Sequence, residues 1–218
     1  MILLLGVFKP EIQPLIDEMQ ILETGELLNR SFCRGVIGEN EIVVTSGFIG
    51  KIDTTMICQK FIDHFSPDKI ILISGAGAIA PDLKIGDIIV GTSFVEHDKK
   101  LPVDQTKINS NLEAAVIFKK IKKDIPNVKF GTIISGDSLI SDVNLKESLY
   151  NKYGALCVDM DSAAVAMTSD VNKINFYVIK VILDLCDENA SEDYNNNFER
   201  CCLTGAELFI DILKNSKL

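Results

Sequence analysis

Lys69-Ile-Ile-Leu-Ile-Ser74-Gly75-Ala-Gly77-Ala-Ile-Ala80-Pro81-Asp-Leu-Lys-Ile-Gly86-Asp87 is the stretch on which the fold turns. Its first half is an apolar run without alternation, as in a strand covered on both faces. Gly75-Ala-Gly77-Ala-Ile-Ala80 then spells the G-x-G-x-x-A dinucleotide fingerprint. That fingerprint has to open a helix, whereas here Pro81 intervenes and a second strand begins at Asp87. The segment therefore reads as a tight, glycine-dependent loop at a strand end, where backbone can approach a ligand closely, and not as a NAD site.

Outward from it, short apolar runs alternate with amphipathic ones. Besides Lys69–Ser74, strands are expected at Ile2–Phe8, Ile42–Ser46, Asp87–Gly91, Lys129–Ser135, Ala155–Asp159 and Phe176–Leu183. Helices are expected at Glu11–Met19, Thr54–Phe65, Asn111–Lys122, Asn144–Tyr153, Ser162–Thr168 and Ala206–Lys214. Met56, Ile57, Phe61, Ile62 and Phe65 recur at helical spacing, and Ser66-Pro67-Asp68 ends their helix. Pro10 falls in the first turn of the first helix, where no N–H has a helical partner. The pattern is that of one α/β domain over residues 1–218. There is no repeat or linker. The most polar segment, Asp187–Arg200, follows a very apolar strand and reads as a solvated loop or an ordered lid.

Composition narrows the partners. With 47% apolar and 24% charged residues the chain matches a soluble globular protein. Its net charge is −9, and its three arginines are Arg30, Arg34 and Arg200, so nucleic acid and anionic membrane surfaces are poor partners. No apolar run approaches the roughly 18 residues of a membrane-spanning helix. Met1–Phe8 lacks a basic flank and reads as a buried first strand in a cytoplasmic protein. Cysteines 33, 58, 157, 186, 201 and 202 show neither a C-x-x-C pair nor metal-ligand spacing with His, so free, mostly buried thiols and no metal are expected.

Ser46-Gly-Phe-Ile-Gly50-Lys51 could hold an anion at a helix start, but reads better as a plain turn into the second helix. The carboxylates carry more. Val158-Asp159-Met160-Asp161-Ser162 puts two aspartates where a strand gives way to a small-residue helix; Asp161 alone would pass for a helix cap. Asp184 follows a strand broken only by Lys180 and lies between Leu183 and Leu185. Partial desolvation should raise its pKa and keep its proton available, as a general acid requires. Glu11 adds a third carboxylate just past the first strand. Three carboxylates and a glycine segment from separate strand ends make a plausible site.

These blocks, in order along nearly the whole chain, resemble the nucleoside phosphorylase/nucleosidase superfamily and, within it, the 5′-methylthioadenosine/S-adenosylhomocysteine nucleosidases. The matching pieces are Glu11, Ser46–Lys51, Ser74–Pro81 with Leu83–Asp87, His97-Asp98, Ser135-Gly-Asp-Ser138, Val158–Asp161 and the Asp184 strand. The resemblance implies a central mixed twisted sheet flanked by helices, a homodimer, a place in methionine salvage, and hydrolysis of the purine–ribose bond without cofactor. It implies that Glu11 activates water, that Asp184 protonates N7 of the departing adenine, and that Asp161 binds the ribose hydroxyls. Met160 packs under the ribose, Leu139 and Ile140 contact the adenine, Gly75 lines the site, and Tyr194 or Phe198 closes over the base.

The chemistry agrees: a neutral acid favours a base that gains negative charge, and carboxylates favour a sugar that gains positive charge. Phosphorolysis needs a cationic cradle, usually of arginines, which this chain scarcely offers. The chain departs from the resemblance where the family commonly has Glu (here Asp161), Arg (Lys180) and Ser (Leu183), and in a shorter segment, Lys99–Ile108, after His97-Asp98. Rival readings are a futalosine-type or general purine nucleosidase, a nucleoside-binding protein without turnover, and a protein whose acidic residues are only caps and loop charges.

Overall fold

A computed structural model describes residues 1–99, 107–110 and 128–215. The expected helix Asn111–Lys122 and most of the Lys99–Ile108 segment lie outside the described residues. The strands are β1 (Ile2–Gly6), β2 (Gln20–Leu27), β3 (Arg30–Ile37), β4 (Asn40–Thr45), β5 (Lys69–Ala78), β6 (Ile88–Glu96), β7 (Ile108–Asn109), β8 (Val128–Ser135), β9 (Ala155–Asp159) and β10 (Asn175–Asp184). The helices are α1 (Lys9–Glu18), α2 (Lys51–Phe65), α3 (Val143–Tyr153), α4 (Ser162–Asn172) and α5 (Ala190–Asn215).

The sheet is mixed, as expected, and part of it closes on itself. β5 pairs in parallel with β10, β10 antiparallel with β6, β6 and β8 in parallel, β8 and β9 in parallel, and β9 antiparallel with β5. From β5 the sheet runs on through β1, β4, β3 and β2. The β5–β9 contact is brief: Gly77 faces Val158 and Ala78 faces Cys157. β5 and β9, running in opposite directions, thus meet at their C-terminal ends, and the crevice there receives the loops.

Buried apolar residues cover both faces. Leu4, Ile71, Ile73 and Ile179 pack toward α1 and α5, where Leu15, Phe209 and Leu213 meet them. Leu3, Leu5, Leu72 and Val178 face the side of α2 and α4, with Ile57, Phe61 and Val165. The unalternating apolar runs are those of strands buried on both faces. Met56 is the exception to its helical stripe: it is 52% exposed on the outer face of α2 while Ile57, Phe61 and Ile62 are buried.

Three expectations need correction. The Gly75–Ala78 segment is not a loop; β5 continues through it, paired with β10 and β9. Its glycines allow close approach: a Cβ on Gly75 would lie 2.0 Å from Leu183 Cδ1, and one on Gly77 2.4 Å from Cys186 Sγ. The polar segment Asp187–Arg200 is not a solvated loop but largely the first half of α5, an ordered element whose Ser191, Tyr194 and Asn195 line a cavity. There Ala190, Tyr194, Phe198 and Cys202 recur at four-residue spacing, so one apolar edge holds an otherwise solvated helix to the core. The hairpin β2–β3 was not expected at all. Its turn, Leu28-Asn29, has positive φ at both residues, 49° and 58°, the backbone sense that type I′ turns require and Asn-Gly usually signals.

Candidate active site

Strand ends bring the carboxylates together around a cavity of about 400 Å³. Its wall includes Glu11, Gly75, Leu139, Ile140, Met160, Asp161, Asp184 and Tyr194. Phe198 is not in the wall. Its ring stacks on Tyr194 (centroids 5.3 Å apart) and stands edge-on to Phe8 (5.4 Å), backing the residues that do reach the cavity.

Glu11 is fixed by backbone. It sits in the first turn of α1, where Oε2 accepts the N–H of Phe8 at 2.8 Å. Oε1 accepts the N–H of Gly75 at 3.1 Å, which ties α1 to the end of β5. Burial pushes Glu11 up to about 7; the two N–H groups and Lys180 only partly offset the lost solvation.

Asp161 occupies the N-cap position of α4 but does not cap it. Asp159 Oδ1 instead accepts from the N–H groups of Asp161 (3.3 Å) and Ser162 (3.2 Å), and Ser135 Oγ accepts from Ala163 N–H at 2.9 Å. Asp161 is left to turn inward: Oδ1 lies 2.8 Å from Lys180 Nζ, and Oδ2 accepts from Ser74 Oγ at 3.1 Å. Lys180 directly faces Ser74 across the β5–β10 ladder, which places its ammonium against Ser74, Asp159 and Asp161. The lysine is wholly buried.

Burial would raise both aspartates, yet they part company. Lys180 and the hydroxyls of Ser135 and Ser162 hold Asp159 below the usual carboxylate range. Burial, with Asp159 beside it, lifts Asp161 to about 7 despite Lys180. Burial opposes the charge on Lys180, but its two carboxylates keep it protonated with a raised pKa. Asp159 and Lys180 are what sequence reasoning passed over: one read as a neighbour of Asp161, the other as an interruption. A charged residue inside a wholly apolar strand was the available signal, since buried ions come with partners.

Asp184 stands at a bulge. The β5–β10 register shifts between Ile182 and Asp184, so Leu183 is the extra residue and its side chain lies over Gly75. A bulge of this kind re-aims the following side chain. Asp184 Oδ1 accepts the Cys186 N–H at 2.9 Å, and burial raises its pKa.

The remaining motifs find structural uses. Ser46–Lys51 is the turn into α2, and Asp137 Oδ1 accepts the Lys51 N–H at 2.9 Å, so a carboxylate of the chain already occupies that helix start. All six cysteines are free. Among the described residues no group of three or more His, Cys, Asp or Glu could hold a metal, and no helix is long and apolar enough to cross a membrane. The arginines lie elsewhere: Arg30 pairs with Asp53, Arg34 with Glu41 and Glu23, and Arg200 with Asn197.

Residues 1–215 match the phosphorylase superfamily. The chain belongs to that superfamily. Within the superfamily it is 39% identical over 214 residues, 98% of each chain, to the 5′-methylthioadenosine/S-adenosylhomocysteine nucleosidase of Thermotoga maritima. It is 29% identical over 216 residues, 94% of each chain, to the aminodeoxyfutalosine nucleosidase of Helicobacter pylori. A Helicobacter pylori methylthioadenosine nucleosidase with one Asp changed to Asn, holding 5′-methylthioadenosine in its active site, superposes with a TM-score of 0.92. That match has 27% identity and covers 99% of this chain and 98% of the other.

Proposed function

We propose that this chain hydrolyses the N-glycosidic bond of 5′-methylthioadenosine, S-adenosylhomocysteine or a related adenine nucleoside and releases adenine. The observation that carries the choice of water over phosphate is the cavity wall. Among the described residues its side chains are acidic, apolar or neutral polar, with no Arg or Lys, and the nearby Lys180 is already held by two carboxylates.

In this reading the adenine lies between Leu139, Ile140 and Tyr194, with the ribose over Met160 and its hydroxyls on Asp161. Protonated Asp184 gives its proton to N7 as the C1′–N9 electron pair moves into the purine. Glu11, ionised, takes a proton from the water whose oxygen bonds to C1′. A neutral acid and an ionised base must coexist, and each gains most where charge develops, which makes both worth more in the transition state than in the bound substrate.

The decisive measurement is base release from 5′-methylthioadenosine, S-adenosylhomocysteine, aminodeoxyfutalosine, adenosine and inosine, each with and without phosphate. Phosphate-independent adenine release from the thio-nucleosides is expected, and Asp184→Asn should lower it at least 100-fold by the usual worth of a general acid. Strict dependence on phosphate, or full activity of Asp184→Asn, overturns the assignment. Preference for aminodeoxyfutalosine would move the substrate to that of the second relative.

A homodimer belongs to the same proposal. Ile52 and Val171, 77% and 73% exposed, with Met56 and Met167, form an apolar face over α2 and α4. Those helices are joined side by side through Gln59 and Asn172. Val171→Asp should shift the species seen by light scattering toward the monomer. Six free thiols favour a reducing, cytoplasmic compartment, and the proposed 5′-methylthioadenosine substrate is what would give the chain a place in methionine salvage, where a thioribose product is passed on.

A further inference from the structure

His97-Asp98 stands where β6 ends and takes no part in the catalytic scheme. The β6–β8 ladder runs out at Glu96, which faces Ser135. One more bond, His97 N–H to the Ser135 carbonyl at 2.9 Å, carries it to the motif. Both side chains then turn to the segment that follows β8. The His97 ring lies against Gly136, where a Cβ would be 2.3 Å from Nε2. Asp98 reaches one residue further, and its Oδ2 accepts the Asp137 N–H at 3.0 Å. Its Oδ1 accepts from Nζ of Lys51, the first residue of α2. Lys51 is held in turn by Glu96 Oε1 at 3.4 Å and, through its backbone N–H, by Asp137 Oδ1 at 2.9 Å. Gly50, with φ 83°, makes room, since a Cβ there would lie 3.2 Å from the same Oδ1. The ends of β6 and β8 and the start of α2 thus meet at one carboxylate. Burial disfavours the charge on Asp98, but Lys51 and the Asp137 N–H hold its carboxyl below the usual carboxylate range, so both oxygens accept at neutral pH.

From Gly136 to Asp142 the chain is neither helix nor strand, so no ladder of its own fixes its course. Its far end is pinned where Asp142 caps α3, Oδ1 accepting the N–H groups of Asn144 and Leu145 at 2.7 and 3.1 Å. Between the two pins lie Ser138, Leu139 and Ile140, all in the cavity wall, with Ile140 buried and Leu139 half-exposed. We propose that Asp98 is a positioning residue for base binding: by accepting the Asp137 N–H while Lys51 holds its other oxygen, it sets the course of Ser138–Ile140. The inference deepens the proposed function and rests on that segment receiving the adenine. Asp98 is itself outside the cavity wall and acts through the segment.

Adenine affinity is measured by titration calorimetry for the parent, Asp98→Ala and Asp98→Asn, with thermal unfolding of each to verify folding. Alanine removes the acceptor, whereas asparagine keeps a carbonyl oxygen for the Asp137 N–H and gives up the ion pair. Asp98→Ala should bind adenine about tenfold more weakly, the scale of a hydrogen bond to a charged group. Asp98→Asn, short only of a partly exposed ion pair, should come back to within about threefold of the parent. With 5′-methylthioadenosine, KM of Asp98→Ala should rise in step while kcat falls less than about threefold, the mark of lost binding and not of lost chemistry. A residue that only stabilised the fold would lower the melting temperature and leave adenine affinity and KM alone. Unchanged adenine affinity in Asp98→Ala, or an asparagine variant no better than alanine, overturns the inference. If the parent itself binds no adenine, the proposed function falls first, and the two failures are told apart.

Discussion

Asp159 caps the helix that Asp161 begins. The N–H groups of Asp161 and Ser162 both point at Asp159 Oδ1, at 3.3 and 3.2 Å, so the residue in the capping position is released to face the cavity. The price is a buried ammonium, Lys180, whose removal should be felt throughout the site.

Lys180→Met strands two buried carboxylates. Breaking a buried pair from one side typically costs about 3–5 kcal/mol, and that loss is expected in urea unfolding at neutral pH. Adding Asp161→Asn should recover part of it, since Asp159 would then be the one uncompensated charge. Equal stability of the single and double variants would show that Asp161 takes up a proton once Lys180 is removed.

Glu11 is predicted to weaken the fold it serves. Its carboxyl is raised from an ordinary 4.5 to about 7, so between those values the folded protein binds more protons than the unfolded chain. Stability from this group is therefore lost as pH rises through that window and is flat above it. Glu11→Gln should be more stable than the parent by roughly 1–3 kcal/mol at pH 8, the amide giving up one of two backbone acceptors. The advantage should shrink toward pH 4. Turnover should drop about 100-fold or more, and the parent's rate should fall below about pH 7 as its base is protonated.

Gly75→Ala puts a methyl 2.0 Å from Leu183 Cδ1 and strains the bond that Gly75 N–H makes to Glu11. Overpacking of this kind costs about 1–3 kcal/mol. Combined with Leu183→Ala, the methyl gains room, and the double variant should be destabilised by less than the sum of the singles. Strict additivity in thermal unfolding would contradict the contact.

Tyr194 and Phe198 should differ in kind. Tyr194→Ala removes a ring from the cavity wall and should raise KM roughly tenfold, the scale of one base–aromatic stack. Phe198→Ala, acting through Tyr194 and Phe8, should raise KM less while lowering the melting temperature more.

The sheet was legible where burial leaves a plain record. Ala155–Asp159 has the same bounds in sequence and structure, and the β1, β5 and β10 cores follow their apolar runs. Glu11, Asp161 and Asp184 were legible as carboxylates at strand ends. What was not legible shares one cause, in that pairing is decided by partners distant in the chain. β2 is exposed along nearly its whole length and carries no alternation to detect. The bulge at Leu183 exists only against β5, and Gly75 and Gly77 look like loop glycines until the side chains above them are seen. Lys180 reads as a blemish because its two counter-charges arrive from β9 and the start of α4.

The closed circuit β5–β10–β6–β8–β9 has a consequence for how the molecule breathes. No member of that ring can peel away without parting two hydrogen-bonded ladders, whereas β2, among the described residues, borders a single neighbour. Amides of β5, β9 and β10 should exchange with solvent deuterium only through whole-molecule opening, while those of β2 exchange by local fraying. The strands that carry Gly75, Asp159 and Lys180 thus have no loose side from which to unzip.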